Sequence, residues 1–367
     1  MNARTPALLR AAGLLLAGLA TGLFAPNQAH AEPAPQAEAS RHSIPVPRIA
    51  GRLHSADLGL VINSDDPYSV AVGAYYAQRR GIPAQQIVRV SLPLRDTLKA
   101  AELEALAAQI RSSLPAHVQA LALAWSRPYA VECNSLTAAL TLGFQPELCQ
   151  RTCAASAPSP LFNNATTQPF TDLGLRPSML LAASSVEAAK ALIERGLSAD
   201  QQLGKRGVPE VQALFVSTPD SARNVRAALF PPSAALKALG VQVRQVTQPL
   251  PALQRVVLYQ TGAVRVDAAN RIPWVSGALA DHLTSFGGQL FEAHGQMTAL
   301  DWLEAGATAS YGTVSEPCNH VQKFPHPQVL LLNYLQGSTA IEAYWRSVAW
   351  PAQGLFVGEP LAAPFGH

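Results

Sequence analysis

Residues 295–317 read GQMTALDWLEAGATASYGTVSEP, and the reading of this stretch sets the fold class. Ala299, Leu300, Leu303 and Ala305 place apolar side chains at helical intervals. Gly306 stands where a left-handed residue ends a helix. Ala307 to Val314 then makes a short buried strand, followed by the polar loop Ser315-Glu316-Pro317-Cys318-Asn319-His320. A helix that returns through a glycine turn into a buried strand is the working unit of an α/β protein. In such proteins the loops beyond strand C-termini build the site.

The same rhythm extends outward on the N-terminal side. Leu58 to Asn63 (LGLVIN) is an apolar run of buried-strand length, broken by Asn63-Ser64-Asp65-Asp66-Pro67. Ser69 is placed to cap a helix from Val70 to Arg80, which Gly81 ends. Further strands are expected at Ile87–Leu92, Val118–Trp125, Met179–Ala183, Val211–Ser217, Val241–Gln245 and Val256–Tyr259. Helices are expected at Leu98–Leu114 and at Val186–Arg195, the latter closed by Gly196, and Asp220 should cap another. Alternation of this kind predicts a three-layer α/β sandwich around a mainly parallel sheet. Its post-strand loops should share one edge, collecting Asp65, Asp66, Arg127, Thr218, Thr261 and Glu316 as binding candidates. Asp65, Asp66 and Glu316 could meet around a divalent cation; the simpler role of Asp65, Asp66 and Ser69 is to form a turn and cap a helix.

Arg4 and Arg10, the apolar run Ala11–Phe24 and the small-x-small site Ala29-His30-Ala31 read as a secretory signal peptide over residues 1–31. Residues 32–50, rich in Pro and Ala, read as a flexible leader. Residues 51–367 read as one α/β domain with an irregular insertion at about 130–176, and the destination as the periplasm or the exterior. No later run reaches the ~18 apolar residues of a membrane span. Of the 367 residues, 49% are hydrophobic and 14% charged, with a formal charge of +3. That is a globular composition without the basic, aromatic-laced stripe of a nucleic-acid binder. Four cysteines allow three pairings, and an oxidising compartment favours disulfides. The expected bridge joins Cys133 to Cys149 or to Cys153; a zinc site would need a fourth ligand and a different spacing. Gly204-Lys205 lacks the remainder of a phosphate loop, and no G-x-G-x-x-G after a strand, H-E-x-x-H or G-x-S-x-G occurs. No cofactor and no metal is expected.

Two resemblances follow from particular blocks. Asp57–Asn63, Tyr75–Pro83, Arg176–Met179, Ala280–Gly288, Gly295–Pro317 and Gly358–Leu361 resemble a family of exported bacterial proteins associated with the exosortase system that sorts PEP-CTERM proteins. That resemblance implies export and no particular activity. The order of elements after Met179 is similar, more remotely, to gingipain-like and CHAT-type peptidases of the caspase-like fold. In those, a His-Gly pair follows one strand and a Cys the next, and a Gly-Ala turn leads into a further strand. Val256–Gly262 resembles the first strand, with Thr261 in place of the histidine. The segment around Thr284 and Ser285 resembles the second, without a cysteine. Leu303–Ala307 resembles the turn and Gly358-Glu359-Pro360 the terminal Gly-Asp-Pro. The resemblance implies a scaffold kept and a dyad lost.

Two sets of residues carry the remaining chemistry. Cys318 has His294, His320 and His326 near it in sequence, and a thiol nucleophile needs such a base. Asp281, His282 and Ser285 supply the residue types of a serine hydrolase, although neighbouring side chains diverge on a helix and triads gather distant segments. Asp281 is expected to cap or pair locally. The expectation is a dyad-less caspase-like scaffold that binds peptide segments of exported proteins. The alternative is a hydrolase whose nucleophile is Cys318 or Ser285.

Overall fold

The computed structural model describes residues 44–248, 250–292 and 294–367; the expected signal peptide and residues 32–43 of the leader lie outside them. Leu58–Asn63 forms strand β1 with every residue buried, as a continuous apolar run does when both faces of a sheet are covered. Its two faces meet different layers. A side chain on Gly73, in the helix Pro67–Arg80, would strike Ile62, whereas one on Gly59 would strike Leu114, just past the helix Ala100–Ser113. The layers are therefore helix, sheet and helix.

The other strands are β2 (Ile87–Val90), β3 (Thr97–Leu98), β4 (Ala120–Leu123), β5 (Ala130–Val131), β6 (Asn134–Ser135) and β7 (Ser178–Leu180). After them come β8 (Val211–Ser217), β9 (Ala234–Leu236), β10 (Val241–Thr247), β11 (Val256–Gly262), β12 (Trp274–Leu283), β13 (Ala309–Thr313) and β14 (Gly354–Gly358). One 11-stranded sheet has the order β2-β1-β4-β7-β14-β13-β12-β11-β8-β10-β9, and β3, β5 and β6 form a small second sheet. Pairing is parallel among β2, β1, β4 and β7, and again among β13, β12, β11, β8 and β10. Strand β14 runs antiparallel to β13, and β9 antiparallel to β10.

Between β14 and β7 there is only the isolated bridge Val357–Leu180, which taken alone is parallel, but one residue pair does not fix the relative sense of the two parallel sets. Contacts at the strand ends do. Arg127, beyond β4, lays its guanidinium on Phe291, beyond β12, and Ser315, beyond β13, donates to the carbonyl of Cys133. At the opposite edge Arg195, late in the helix that returns from β7, donates to the carbonyls of Leu303 and Ala307, which precede β13. The loops after the parallel strands thus share one edge.

Local chemistry explains most boundaries. Asp66, not Ser69, caps the first helix by accepting from the Tyr68 N–H, and Pro67 occupies its first position. The Ser69 hydroxyl instead accepts from the Asn63 N–H. The helix begun at Val186 runs through Gly196 to Ala199, because the glycine is there for a neighbour rather than a stop. A Cβ at 196 would lie 2.4 Å from Oε2 of Glu359. That carboxylate is held by Tyr76 and Arg80. The insertion is less irregular than expected. Its helix Leu136–Leu142 lies on the sheet, with Thr137 Oγ1 accepting from the Phe356 N–H. Nor is the leader free as far as Ala50: Ile44 exchanges hydrogen bonds with Gln328, and the Ile49 N–H donates to Gln336.

Alanine normally stabilises a helix interior over glycine by ~1 kcal/mol. Gly196→Ala should do the reverse, because Glu359 is pinned and overpacking costs about 1–3 kcal/mol. A lower urea midpoint for this variant is the expected result.

Candidate functional site

The site is organised by β12, whose alternation sends successive side chains to opposite faces. Asp281 faces a buried polar cluster. It forms an ion pair with Arg226 and accepts from Gln260 Nε2 at 2.9 Å. Arg226 also donates to the carbonyl of Thr261 at 2.8 Å and of Pro325 at 3.3 Å. Burial pushes the Asp281 carboxyl above its usual range, opposed by Arg226 and Gln260. His282 faces the other side, where its Nδ1 accepts from Trp302 Nε1 at 2.8 Å, so its proton resides on Nε2. Burial, with the charge of Arg226 second, lowers its pKa to about 3. His282 is therefore a neutral imidazole at any ordinary pH.

Beyond β12 and β13 the chain encloses a cleft of ≈ 320 Å³ lined by Arg223, Thr284, Ser285, Glu316, Cys318 and Asn319, among others. Arg223 Nε donates to Thr284 Oγ1 at 3.2 Å, and that hydroxyl donates to Gln296 Oε1 at 2.5 Å. Glu316 Oε1 accepts from the Cys318 N–H at 2.8 Å. Cys318 and Asn319 both hold left-handed backbone, φ 58° and 48°, a conformation that non-glycine residues adopt at a cost. Cys318 is bonded to Cys153, and Cys133 to Cys149. The cleft thus presents a cation, an anion and hydroxyls on a rim tied covalently to the insertion.

Among the sequence-derived candidates, Ser285, Glu316 and Cys318 meet in this cleft. Cys318 is corrected as a nucleophile, since its sulfur is in a disulfide and no thiolate forms while the bridge stands. Asp281 and His282 lie on a strand, not a helix, and both are buried beneath the cleft; Asp281 pairs with a residue far away in sequence rather than locally. His294 is exposed and sets its ring edge-on against Phe286 at 4.9 Å. His320 has Nε2 2.9 Å from the carbonyl oxygen of Cys153. His326 caps the helix Pro327–Leu335 through Nδ1, and burial lowers its pKa to about 4.

Thr261 is corrected as an edge residue. Its hydroxyl donates within the sheet to the carbonyl of Val216, and the end of β11 is covered from outside. Thr218 Oγ1 donates to the Gly262 carbonyl at 2.5 Å, and the carbonyl of Arg223 leaves no room for a Cβ at 262. Thr218 itself lines a larger hollow of ≈ 860 Å³ with Arg265 and Asp267, which takes in none of the other candidates. Arg127 pairs with Asp96. Asp65 accepts from Ser91 and Asp66 serves as the cap. Strands β4, β7 and β14 separate them from Glu316, so the three carboxylates do not meet. No group of three or more metal-ligating side chains occurs among the described residues. Arg223 and Gln296, which shape the cleft, gave no signal in the sequence, because both arrive from outside the strand ends that were read as the site.

Comparison with known proteins returns one remote likeness. The crystal structure of the Arg specific cysteine proteinase gingipain R (RGPB) matches with a TM-score of 0.41 and 10% identity, covering 86% of this chain and 79% of that one. No family profile and no curated protein matches the chain.

Two measurements test the site's electrostatics. His282 titrates at about 3 when folded, against 6.5 for the free side chain. Between those values the unfolded chain binds the extra proton, so stability falls as pH falls through that window, by up to ~1.4 kcal/mol per pH unit. His282→Gln should remove one proton's worth of that slope in urea titrations from pH 4 to 6, while His326 keeps its own share. Asp281→Ala leaves Arg226 buried without its partner and should cost about 3–5 kcal/mol. The double variant Asp281→Leu/Arg226→Met should recover a large part of that loss.

Proposed function

We propose that this protein is an exported, caspase-like α/β scaffold that lacks the Cys–His dyad and binds peptide segments of exported or sorted proteins in the cleft over Thr284 and Ser285. One observation carries the reading. Among the described residues, the cleft lining combines Arg223, itself paired with Asp220, with Glu316 and the hydroxyls of Thr284 and Ser285, and it includes neither a free thiol nor a histidine. Such a surface can recognise an extended chain by charge and hydrogen bonds, and it has no activated nucleophile. The disulfide at its rim favours preorganised binding, which lowers the entropy lost on association. Two disulfides fit an oxidising compartment, and no described helix is long and apolar enough to cross a membrane. The link to exosortase-dependent sorting rests on the sequence blocks that resemble that family.

A serine hydrolase is the second reading. The Ser285 hydroxyl has no hydrogen-bond partner among the described residues, and His294 sits edge-on against the adjacent Phe286.

Incubation of the purified protein with a peptide library, followed by mass spectrometry of retained and released peptides, separates these readings. Binding predicts peptides retained at unchanged mass, weakened about tenfold by Arg223→Ala or Glu316→Ala, as loss of a charge-assisted hydrogen bond would do. Cleavage lost in both Ser285→Ala and His294→Ala would replace the binder with a serine hydrolase. Cleavage that appears only after reduction and is lost in Cys318→Ala would assign a thiol mechanism.

A further inference from the structure

The described residues include three arginines that are more than nine-tenths buried, Arg176, Arg226 and Arg346, and of these Arg176 lies away from the cleft, near the start of β4. Two of them have a carboxylate partner, Asp281 for Arg226 and Glu342 for Arg346. Arg176 has none. Its Nε donates to the carbonyl of Val118 at 2.9 Å and its Nη2 to that of Pro115 at 3.1 Å. The flat of the guanidinium lies 3.5 Å from the centre of the Phe170 ring. Guanidinium has five N–H donors, so Nη1 and the second Nη2 hydrogen remain without a protein acceptor. A buried charge is ordinarily matched by an opposite one.

The same side chain lines a cavity of ≈ 210 Å³ between the helices Ala100–Ser113 and Leu136–Leu142. Its walls include Leu103, Ile110, Leu121 and Leu140. At ~30 Å³ per water the space corresponds to about seven waters, or a molecule of similar heavy-atom count. Glu104 and Arg111 both line the cavity from exposed positions, offset each other in charge, and Glu104 makes no ion pair with Arg176.

We propose that this cavity is a binding site for a small aliphatic monocarboxylate, whose carboxylate pairs with the Nη1–Nη2 edge of Arg176 and whose tail lies on Leu103, Ile110, Leu121 and Leu140. An end-on bidentate contact uses the donors that the fold leaves free. A single buried cation suits a single negative charge, and the apolar walls suit an alkyl chain better than the oxygens of inorganic phosphate. The carboxylate could belong to a free short-chain acid or to the C-terminus of a peptide ending in an aliphatic residue.

Calorimetric titration of the purified full chain tests the proposal with five probes: hexanoate, hexanol, inorganic phosphate, N-acetyl-leucine and N-acetyl-leucinamide. The expected result is saturable binding of hexanoate, with hexanol and phosphate much weaker. N-acetyl-leucine binding as well as hexanoate, with its amide inert, would assign the peptide terminus as the source; hexanoate alone would assign the free acid. Arg176→Gln should weaken hexanoate at least ~tenfold, the scale of a charge-assisted bond. Ala107→Trp, which places bulk in the cavity from the helix Ala100–Ser113 and leaves the Arg176 charge in place, should abolish binding, and Glu104→Gln should leave it intact or tighten it. Equal binding of hexanol and hexanoate, equal binding of phosphate, or full affinity in a folded Ala107→Trp would overturn the assignment. Should Arg176→Gln fail to fold, the Ala107→Trp result decides.

Discussion

The buried pair of Arg226 and Asp281 is the constraint around which the site is arranged. Two charges without solvent are tolerated only when nearly every donor and acceptor is used, and this pair recruits Gln260, the Thr261 carbonyl and the Pro325 carbonyl. The pair and its partners come from β11, β12, the turn Asn224–Leu229 and the approach to the helix Pro327–Leu335. Satisfying one ion pair therefore draws the 218–229 segment over the end of β11. With the Arg223 carbonyl resting on Gly262, the cleft is left open only over β12 and β13. A side chain at the end of β11 is therefore roofed over, and Thr261 is satisfied within the sheet instead of facing the cleft.

The disulfides act on the same cleft from the other side. Cys133–Cys149 closes a short loop of sequence separation 16, whereas Cys153–Cys318 spans 165 residues. In the chain-entropy description, a loop of that length removes about 5 kcal/mol of unfolded-state freedom. The longer bridge also fixes two consecutive left-handed residues at the rim. The cleft is consequently held in shape by a covalent bond on one wall and a buried ion pair beneath the other.

Much of the framework was legible because it depends on neighbours in sequence. LGLVIN, the turn at Asp65-Asp66-Pro67, Gly81 and the helix ending at Gly306 all act within a few residues of themselves, and all were placed. Strand β12 was not, because WVSGALADHL carries Gly277, Asp281 and His282, which look like surface residues until Arg226 and Trp302 are brought to them by the fold. Gly196 was read as a helix stop because its real partner, Glu359, is remote in the chain. Cys318 stands as a candidate nucleophile of the alternative reading for the same reason, its mate lying 165 residues earlier. The mispairings share a cause: a polar or special residue satisfied at long range is indistinguishable, in sequence, from one awaiting a ligand.

Strand β14 occupies an unusual place in the order of synthesis. It is the last strand of the large sheet in sequence order, yet it lies in the sheet's middle, between β7 and β13. Every other strand of the sheet emerges from the ribosome before it. Until residues 354–358 are made, the β2-β1-β4-β7 half and the β13-to-β9 half have no strand in common and present two unpaired inner edges, the kind of edge that recruits other chains. Vectorial folding, half by half, can prepare both pieces but cannot join them. Protection of those two edges during synthesis is thus a demand written into the strand order itself.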